Sequence, residues 1–284
     1  MKPPHLSKAV FRLIKTALFA LACFMQSSLA AEPHILLQST TSTLNSGLYD
    51  HMLPAFTATT GIQVRVVAVG SGQALRNAAN CDGDAVLAHA PQDEIAFMKQ
   101  GFGLARLPVM KNRFVLLGPG DDPAGIKAAS TISEALRLIA GKQARFLSRG
   151  DDSGTHQRER ALWAEAGIDI SPPEGRWYLE AGQGMGASIN LAVQLNAYLF
   201  SDISTWLAFG NKADHQVLYS SDEDRLTNRY SVITLHPAQC PSVNHDGARQ
   251  FADWLTSDPG QKQIASFQLD GQQMFTPTAG KEAK

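Results

Sequence analysis

Cysteine is scarce in this sequence, with three residues in 284, and charged residues make up only 18%. No run of basic residues occurs, and no basic stripe interleaved with aromatics, so the electrostatic footprint of a nucleic-acid-binding protein is missing. Membrane-spanning segments are excluded by length. The apolar run from Thr16 to Met25 is ten residues, well short of the roughly 20 that cross a bilayer, and nothing later is long enough. Metal chemistry finds no support, because His34, His51, His89, His215, His236 and His245 show no ligand spacing such as H-x-x-x-H. Internal repeats and low-complexity stretches are also lacking, apart from a short charged tail at Lys281 to Lys284.

What is present begins with an export signal. Lys2, Lys8, Arg12 and Lys15 precede the apolar run, and Ser28-Leu29-Ala30 supplies small residues at both cleavage positions, which predicts a signal peptide over 1–30 cut near Ala30 and a periplasmic mature chain. Cleavage before Cys23 as a lipoprotein is disfavoured, since Ala20 stands where a larger aliphatic residue is usual. Removing four of the 25 basic residues and none of the 26 acidic ones leaves a net charge of −5. Such a chain has no long-range attraction for anions, so any anion must be held by local donors. Two cysteines remain after cleavage, Cys81 and Cys240, and their spacing alone leaves a disulfide and two buried thiols both open.

From Ile35 onward short apolar runs alternate with helical patterns. ILLQS, IQVRVVAVG, AVLAHA and NRFVLLGPG read as strands; the stretch carrying Leu48, Met52 and Phe56, then QALRNAA and PQDEIAFMKQG, read as helices. The alternation predicts a parallel sheet with helices on both faces. A second set follows from about Asp121 to Asn228, and the chain then returns through RYSVITL and closes with an apolar helical face carrying Phe251, Trp254, Leu255, Ile264 and Phe267.

Three loops are dense in hydroxyls and glycines, each where a strand hands over to a helix. They are Ser39-Thr40-Thr41-Ser42-Thr43, Gly70-Ser71-Gly72-Gln73, and Ser148-Arg149-Gly150-Asp151-Asp152-Ser153-Gly154-Thr155-His156. A helix start offers N–H donors, hydroxyls add more, and a guanidinium matches two oxygens of a tetrahedral anion. Each loop also has a plain reading, as a capping run, an ordinary turn, or an Arg149–Asp151 ion pair in a solvated loop. In open α/β sheets, however, loops at the carboxyl ends of strands face one crevice, so all three can surround one small anion.

The blocks STTSTLNSGLYDHMLPAF, VRVVAVGSGQAL, GDAVLAHAP, FLSRGDDSGTH, WYLEAGQGMGASIN and FADWLTSDPGQKQIASF, in this order, make the chain resemble the tungstate-binding proteins of bacterial ABC importers. The resemblance implies an α/β, two-lobed periplasmic binding protein fold of type II, each lobe a mostly parallel sheet flanked by helices. It places lobe 1 over 31–113 and 229–284 and lobe 2 over 114–228, with NRFVLLGP and RYSVITL crossing between them. It further implies a monomer that passes tungstate or molybdate to a membrane-embedded ABC permease. Anion contacts are implied from Thr40, Thr41, Ser42, Ser71, Arg149, Ser153 and Thr155, with no catalytic residue, metal or cofactor. The family's first loop usually reads Thr-Thr-Thr-Ser, and here Ser39 replaces the first threonine. The family often lacks Cys81 and Cys240; its strand order nevertheless implies that these two approach within bridging distance.

Three alternatives are set against this. Phosphate is the nearest, because Arg-x-Asp-x-Ser-Gly-Thr also resembles a phosphate-binding segment; a carboxylate of Asp151 or Asp152 facing the anion would favour it, since phosphate keeps a proton near neutral pH. Gly182-Gln183-Gly184-Met185-Gly186-Ala187, with Asp202 about 20 residues on, fits a dinucleotide fingerprint, but its late position favours a glycine-rich turn beside the cleft. Ser153 and His156 lack the elbow of a hydrolase, and His156 is expected to be a helix-start surface residue. His89 is expected to be a hydrogen-bonded core histidine.

Overall fold

The computed structural model describes residues 33–171 and 177–280. The export signal and the charged tail read from the sequence lie outside them. Twelve strands occur among the described residues, and the principal sheet runs in the order β2 (Gln63–Val69), β1 (His34–Thr40), β3 (Ala85–Ala88), β9 (Thr227–Leu235), β4 (Gly103–Gly118), β7 (Tyr198–Asp202), β5 (Phe146–Ser148), β6 (Tyr178–Glu180).

Its first half contains β1 (His34–Thr40), β2 (Gln63–Val69) and β3 (Ala85–Ala88), all parallel, followed by β9 (Thr227–Leu235), which runs antiparallel to β3. The second half contains β5 (Phe146–Ser148), β6 (Tyr178–Glu180) and β7 (Tyr198–Asp202), again parallel to one another. Between them lies β4 (Gly103–Gly118), which pairs with β9 up to Arg113 and with β7 from Phe114 onward. The sequence reading began this strand at Asn112. Pro108, which has no N–H to give to a ladder, and two register shifts interrupt the pattern before it. Both β4 and β9 were expected to cross between lobes, yet only β4 hydrogen-bonds on both sides; β9 starts at the crossing and pairs with β3 and β4.

The side-chain period of two explains how one strand serves two layers. Along β4, Phe114 and Leu116 join one core while Val115 and Leu117 join another. The first of these cores also takes α5 (Ile132–Gly141) and α6 (Gly154–Glu165); the second takes α7 (Met185–Leu195) and α8 (Ile203–Ala208). In the other lobe Ala85, Leu87 and Val232 face α2 (Leu48–Thr60), α9 (His245–Thr256) and α10 (Asp258–Ser266), where Phe56 packs edge-on against Phe251 at 5.2 Å. Val86, Ala88 and Ile233 face the opposite layer, formed by α3 (Ser71–Ala79) and α4 (Pro91–Lys99). Thus each lobe is a sheet covered on both sides, which is why the strands read as continuous apolar runs.

The antiparallel pairing sets Ala85 opposite Thr234, so the residues before β3 lie beside those after β9. Cys81 and Cys240 meet there and form a disulfide with Cα atoms 5.4 Å apart and a sequence separation of 159. The bridge packs at the C-terminal end of α3, a nine-residue helix, which places it about 13 Å along the axis from Ser71. In the chain-entropy description a loop of this size stabilises the fold by roughly 5 kcal/mol at most. Reduction is therefore expected to lower the melting temperature by roughly 5 to 15 °C while leaving anion affinity within about twofold. A scan with and without reductant, paired with a titration, checks both.

Candidate functional site

Four strand ends deliver the chain to helix starts at the junction between the lobes. After β1, Thr40 is the N-cap of α1 (Thr41–Asn45); after β2, Gly70 is the N-cap of α3; after β5, Ser153 caps α6; after β6, Gly184 caps α7. Helix starts carry N–H groups without intrahelical partners and a partial positive charge. At α3 and α7 the N-cap is glycine and no side chain closes the first turn.

The starts are in contact across the lobes. A Cβ on Gly184 would lie 3.2 Å from Thr41 Oγ1, and one on Gly154 would lie 3.2 Å from Ser71 Oγ and 2.5 Å from the His89 carbonyl oxygen. Any larger residue at 154 would force the lobes apart, so glycine there is a packing requirement. Further ties between the lobes run from Gln157 Nε2 to Asp93 Oδ2 at 2.6 Å and from Thr205 Oγ1 to the Ser42 carbonyl oxygen at 3.1 Å.

The seven residues expected to contact an anion divide into two groups. Thr41 Oγ1, Ser71 Oγ, Arg149 Nε and Thr155 Oγ1 are buried and have no hydrogen-bond partner within the protein. An unpaired buried polar group costs about 1–3 kcal/mol, so gathering four such groups at one junction is a cost a folded chain bears for a ligand. The other three have committed side chains. Thr40 Oγ1 accepts from Thr43 N and contacts the hydroxyls of Ser42 and Thr43. Ser42 Oγ bonds His89 Nε2 at 3.1 Å. Ser153 Oγ accepts from His156 N and donates to Asp151 Oδ1 at 2.7 Å. Ser39 points elsewhere, to Tyr49 and the Leu87 carbonyl.

Arg149 is the only one of the seven that carries charge, and it is 1% exposed. The local ion pair with Asp151 exists, but it is buried instead of solvated. Two left-handed residues, Gly150 and Asp152, fold the loop back on itself. As a result Asp151 collects three donors: Arg149 Nη2 at one oxygen, Ser153 N and Oγ at the other. Asp152 is turned outward, 62% exposed, toward Arg76. His156 departs from the surface placement expected of it. It is 7% exposed and its Nδ1 accepts from Asp152 N at 3.1 Å, a bond that closes the same loop, and burial holds its pKa below the usual value. His89 lies in the core as expected, with burial lowering its pKa to about 4. Among the described residues no group of three His, Cys, Asp or Glu is placed to hold a metal ion.

A model of the PBP superfamily domain matches residues 27–259. The tungstate-binding protein TupA of Peptoclostridium acidaminophilum is 40% identical over 255 residues, covering 88% of this chain and 88% of that protein. The chain belongs to the tungstate-binding protein family within the PBP superfamily. Two solved structures agree with this. The tungstate ABC transporter protein of Geobacter sulfurreducens shares 43% identity and a TM-score of 0.76, covering 82% of this chain and 98% of its own. For the tungstate-binding protein of Desulfovibrio alaskensis G20 the values are 43% and 0.73, with 87% and 99% covered.

Within this member of the family, the strand end that carries Arg149 is braced from below by Glu159. That carboxyl is buried and accepts from Ser148 Oγ at 2.8 Å, Trp163 Nε1 at 3.1 Å and Tyr178 OH at 2.8 Å. Burial outweighs these donors and pushes its pKa up to about 7. A carboxyl raised in the folded state binds its proton more tightly than in the unfolded chain. Its share of stability is fully present below the unfolded value of about 4.5 and is lost as pH rises through about 7. The loss is of the order of 3 kcal/mol. Glu159→Gln is expected to remove that part of the decline, as read from denaturant midpoints measured between pH 4.5 and 7.5; parallel curves for the two proteins would refute it.

Proposed function

We propose that this protein captures tungstate, or molybdate of the same charge and shape, between its lobes and delivers it to a membrane-embedded ABC permease from the periplasm. The observation that carries this reading is the set of four unpartnered buried donors, two from each lobe: Thr41 Oγ1 and Ser71 Oγ, Arg149 Nε and Thr155 Oγ1. Donors from both sides make closure depend on the anion, because a ligand can shift the lobes only by binding one arrangement better than the other. Related proteins of this family are named for tungstate, which supports the same ligand here. No cofactor is needed, since binding and release involve no bond making.

Protonation separates tungstate from phosphate. Tungstate, molybdate and sulfate are unprotonated dianions met by donors alone, whereas phosphate near neutral pH brings a proton that needs an acceptor. Asp151, the carboxylate within the Arg149 loop, already accepts three hydrogen bonds from that loop, which favours an anion without a proton. Gly184 of the dinucleotide-like run abuts Thr41, so its lack of a side chain is accounted for by lobe contact alone. We read the protein as a monomeric carrier and not as an enzyme.

Calorimetric titration with tungstate, molybdate, sulfate and phosphate tests this directly. Tungstate and molybdate are expected to bind far more tightly than phosphate, and Arg149→Ala to weaken tungstate roughly a hundredfold or more, by loss of about 3 kcal/mol of charge-assisted bonding. Tighter binding of phosphate than of tungstate, or unaltered tungstate affinity in the variant, would overturn the reading.

A further inference from the structure

The buried and half-buried side chains between Ser42 and Asp202 form one unbroken hydrogen-bonded chain, and the protons along it can be counted. Asp202 is fully buried, and its Oδ1 accepts the N–H of Thr205 at 2.9 Å. That oxygen is an acceptor, so Ser204 Oγ, 2.6 Å away, donates its single proton to it. Ser204 Oγ must then accept from Asn112, which presents Nδ2 at 3.0 Å. The other end of the Asn112 amide is therefore its oxygen, which takes Asn228 Nδ2 at 2.8 Å; the same Nδ2 also reaches Tyr230 OH at 2.9 Å. With its amino group spent, Asn228 offers only Oδ1 to His89 Nδ1, 3.0 Å away, so that nitrogen carries the hydrogen. A neutral imidazole with hydrogen on Nδ1 has a bare Nε2. Ser42 Oγ, at 3.1 Å, is left as the donor. Every proton in the chain points toward Asp202.

The chain crosses the molecule at a meaningful place. Asn112 and Asn228 face each other in register on β4 and β9, Ser42 belongs to the first anion loop, and Asp202 is the N-cap of α8 in the other lobe. The circuit closes where Thr205 Oγ1 donates to the Ser42 carbonyl oxygen at 3.1 Å.

We propose that Asp202 is a positioning residue for the anion site: through Ser204, Asn112, Asn228 and His89 it directs the Ser42 hydroxyl to His89, so that Ser42 fixes the shape of its loop and gives no side-chain proton to the anion. The proposal rests on the anion-binding reading for its role but not for its geometry. It revises what the resemblance implied for Ser42, whose hydroxyl is committed before any ligand arrives. It also gives Asn112 and Asn228 a task, since their paired amides transmit the orientation across the crossing. Reversal of the chain would require His89 to carry its proton on Nε2 and both amides to turn over, which leaves Ser204 without a donor for Asp202.

The test is a long-range proton–nitrogen spectrum of the protein labelled with 15N-histidine, recorded without anion on the wild type and on Ser204→Ala. That variant severs the chain while keeping the Asp202 cap on Thr205. Wild-type His89 is expected to show hydrogen on Nδ1 and a bare Nε2, the less common neutral form. In Ser204→Ala both directions become available, so a mixture of the two forms is expected, with tungstate affinity reduced about three- to tenfold. A wild-type His89 protonated on Nε2 overturns the proposal whatever the variant does. So does a Ser204→Ala protein with unchanged tautomer or unchanged tungstate affinity. Because the wild-type spectrum is read without anion, failure of tungstate to bind would count against the ligand reading and not against the orientation of the chain.

Discussion

A small dianion can be taken out of water only where hydrogen-bond donors replace its hydration, and those donors must be held in place without it. On the proposed reading this chain meets the constraint at the contact between two lobes, with helix starts and with hydroxyls that have no partner within the protein. Thr41, Ser71, Arg149 and Thr155 keep buried polar atoms unpaired, whereas neighbouring Thr40, Ser42 and Ser153 spend theirs on keeping the loops rigid. The division is economical in physical terms. A donor that is free to turn toward its own backbone would do so, and a loop with all its hydroxyls unpaired would not hold its shape.

Charge follows the same logic. The full chain carries a net charge of −1, so no long-range field gathers anions, and the buried guanidinium of Arg149 is already balanced by Asp151. At the proposed site, attraction would come from oriented N–H and O–H dipoles at short range, which act strongly where water is largely excluded. Three of the roughly four acceptor sites of the Asp151 carboxylate are taken by donors from its own loop, which leaves it little capacity for the proton of an anion.

Much of this was legible in the sequence, and what was missed has identifiable causes. The strand-to-helix grammar from Ile35 onward gave the layers, because strands covered on both faces read as plain apolar runs. The three hydroxyl-rich loops stood out because capping needs the same residue types as anion binding, which is also why sequence could not say which hydroxyls are spent. Residues that act at a distance from the loops were invisible. His156 sits at a helix start, a surface position in most proteins, and only the folding-back of the loop at Gly150 and Asp152 buries it. The sequence offers Asp151 as a partner of Arg149 but does not show that Ser153 donates to it twice more. The early start of β4 was hidden by Pro108. One signal was there to be used: the dipeptide Asn-Arg opens both NRFVLL and NRYSVI, and those two asparagines turn out to face each other in register at the crossing between lobes.

The most direct measurement is a tungsten anomalous-scattering map from crystals grown with tungstate. Donor capture between the lobes predicts a single strong peak within hydrogen-bonding reach of Thr41 Oγ1, Ser71 Oγ, Thr155 Oγ1 and Arg149 Nε, counting the oxygens that surround the metal. A peak elsewhere, for example in the cavity beside the crossing strands that Lys111 and Arg113 help to line, with those four atoms still unpaired, would contradict it.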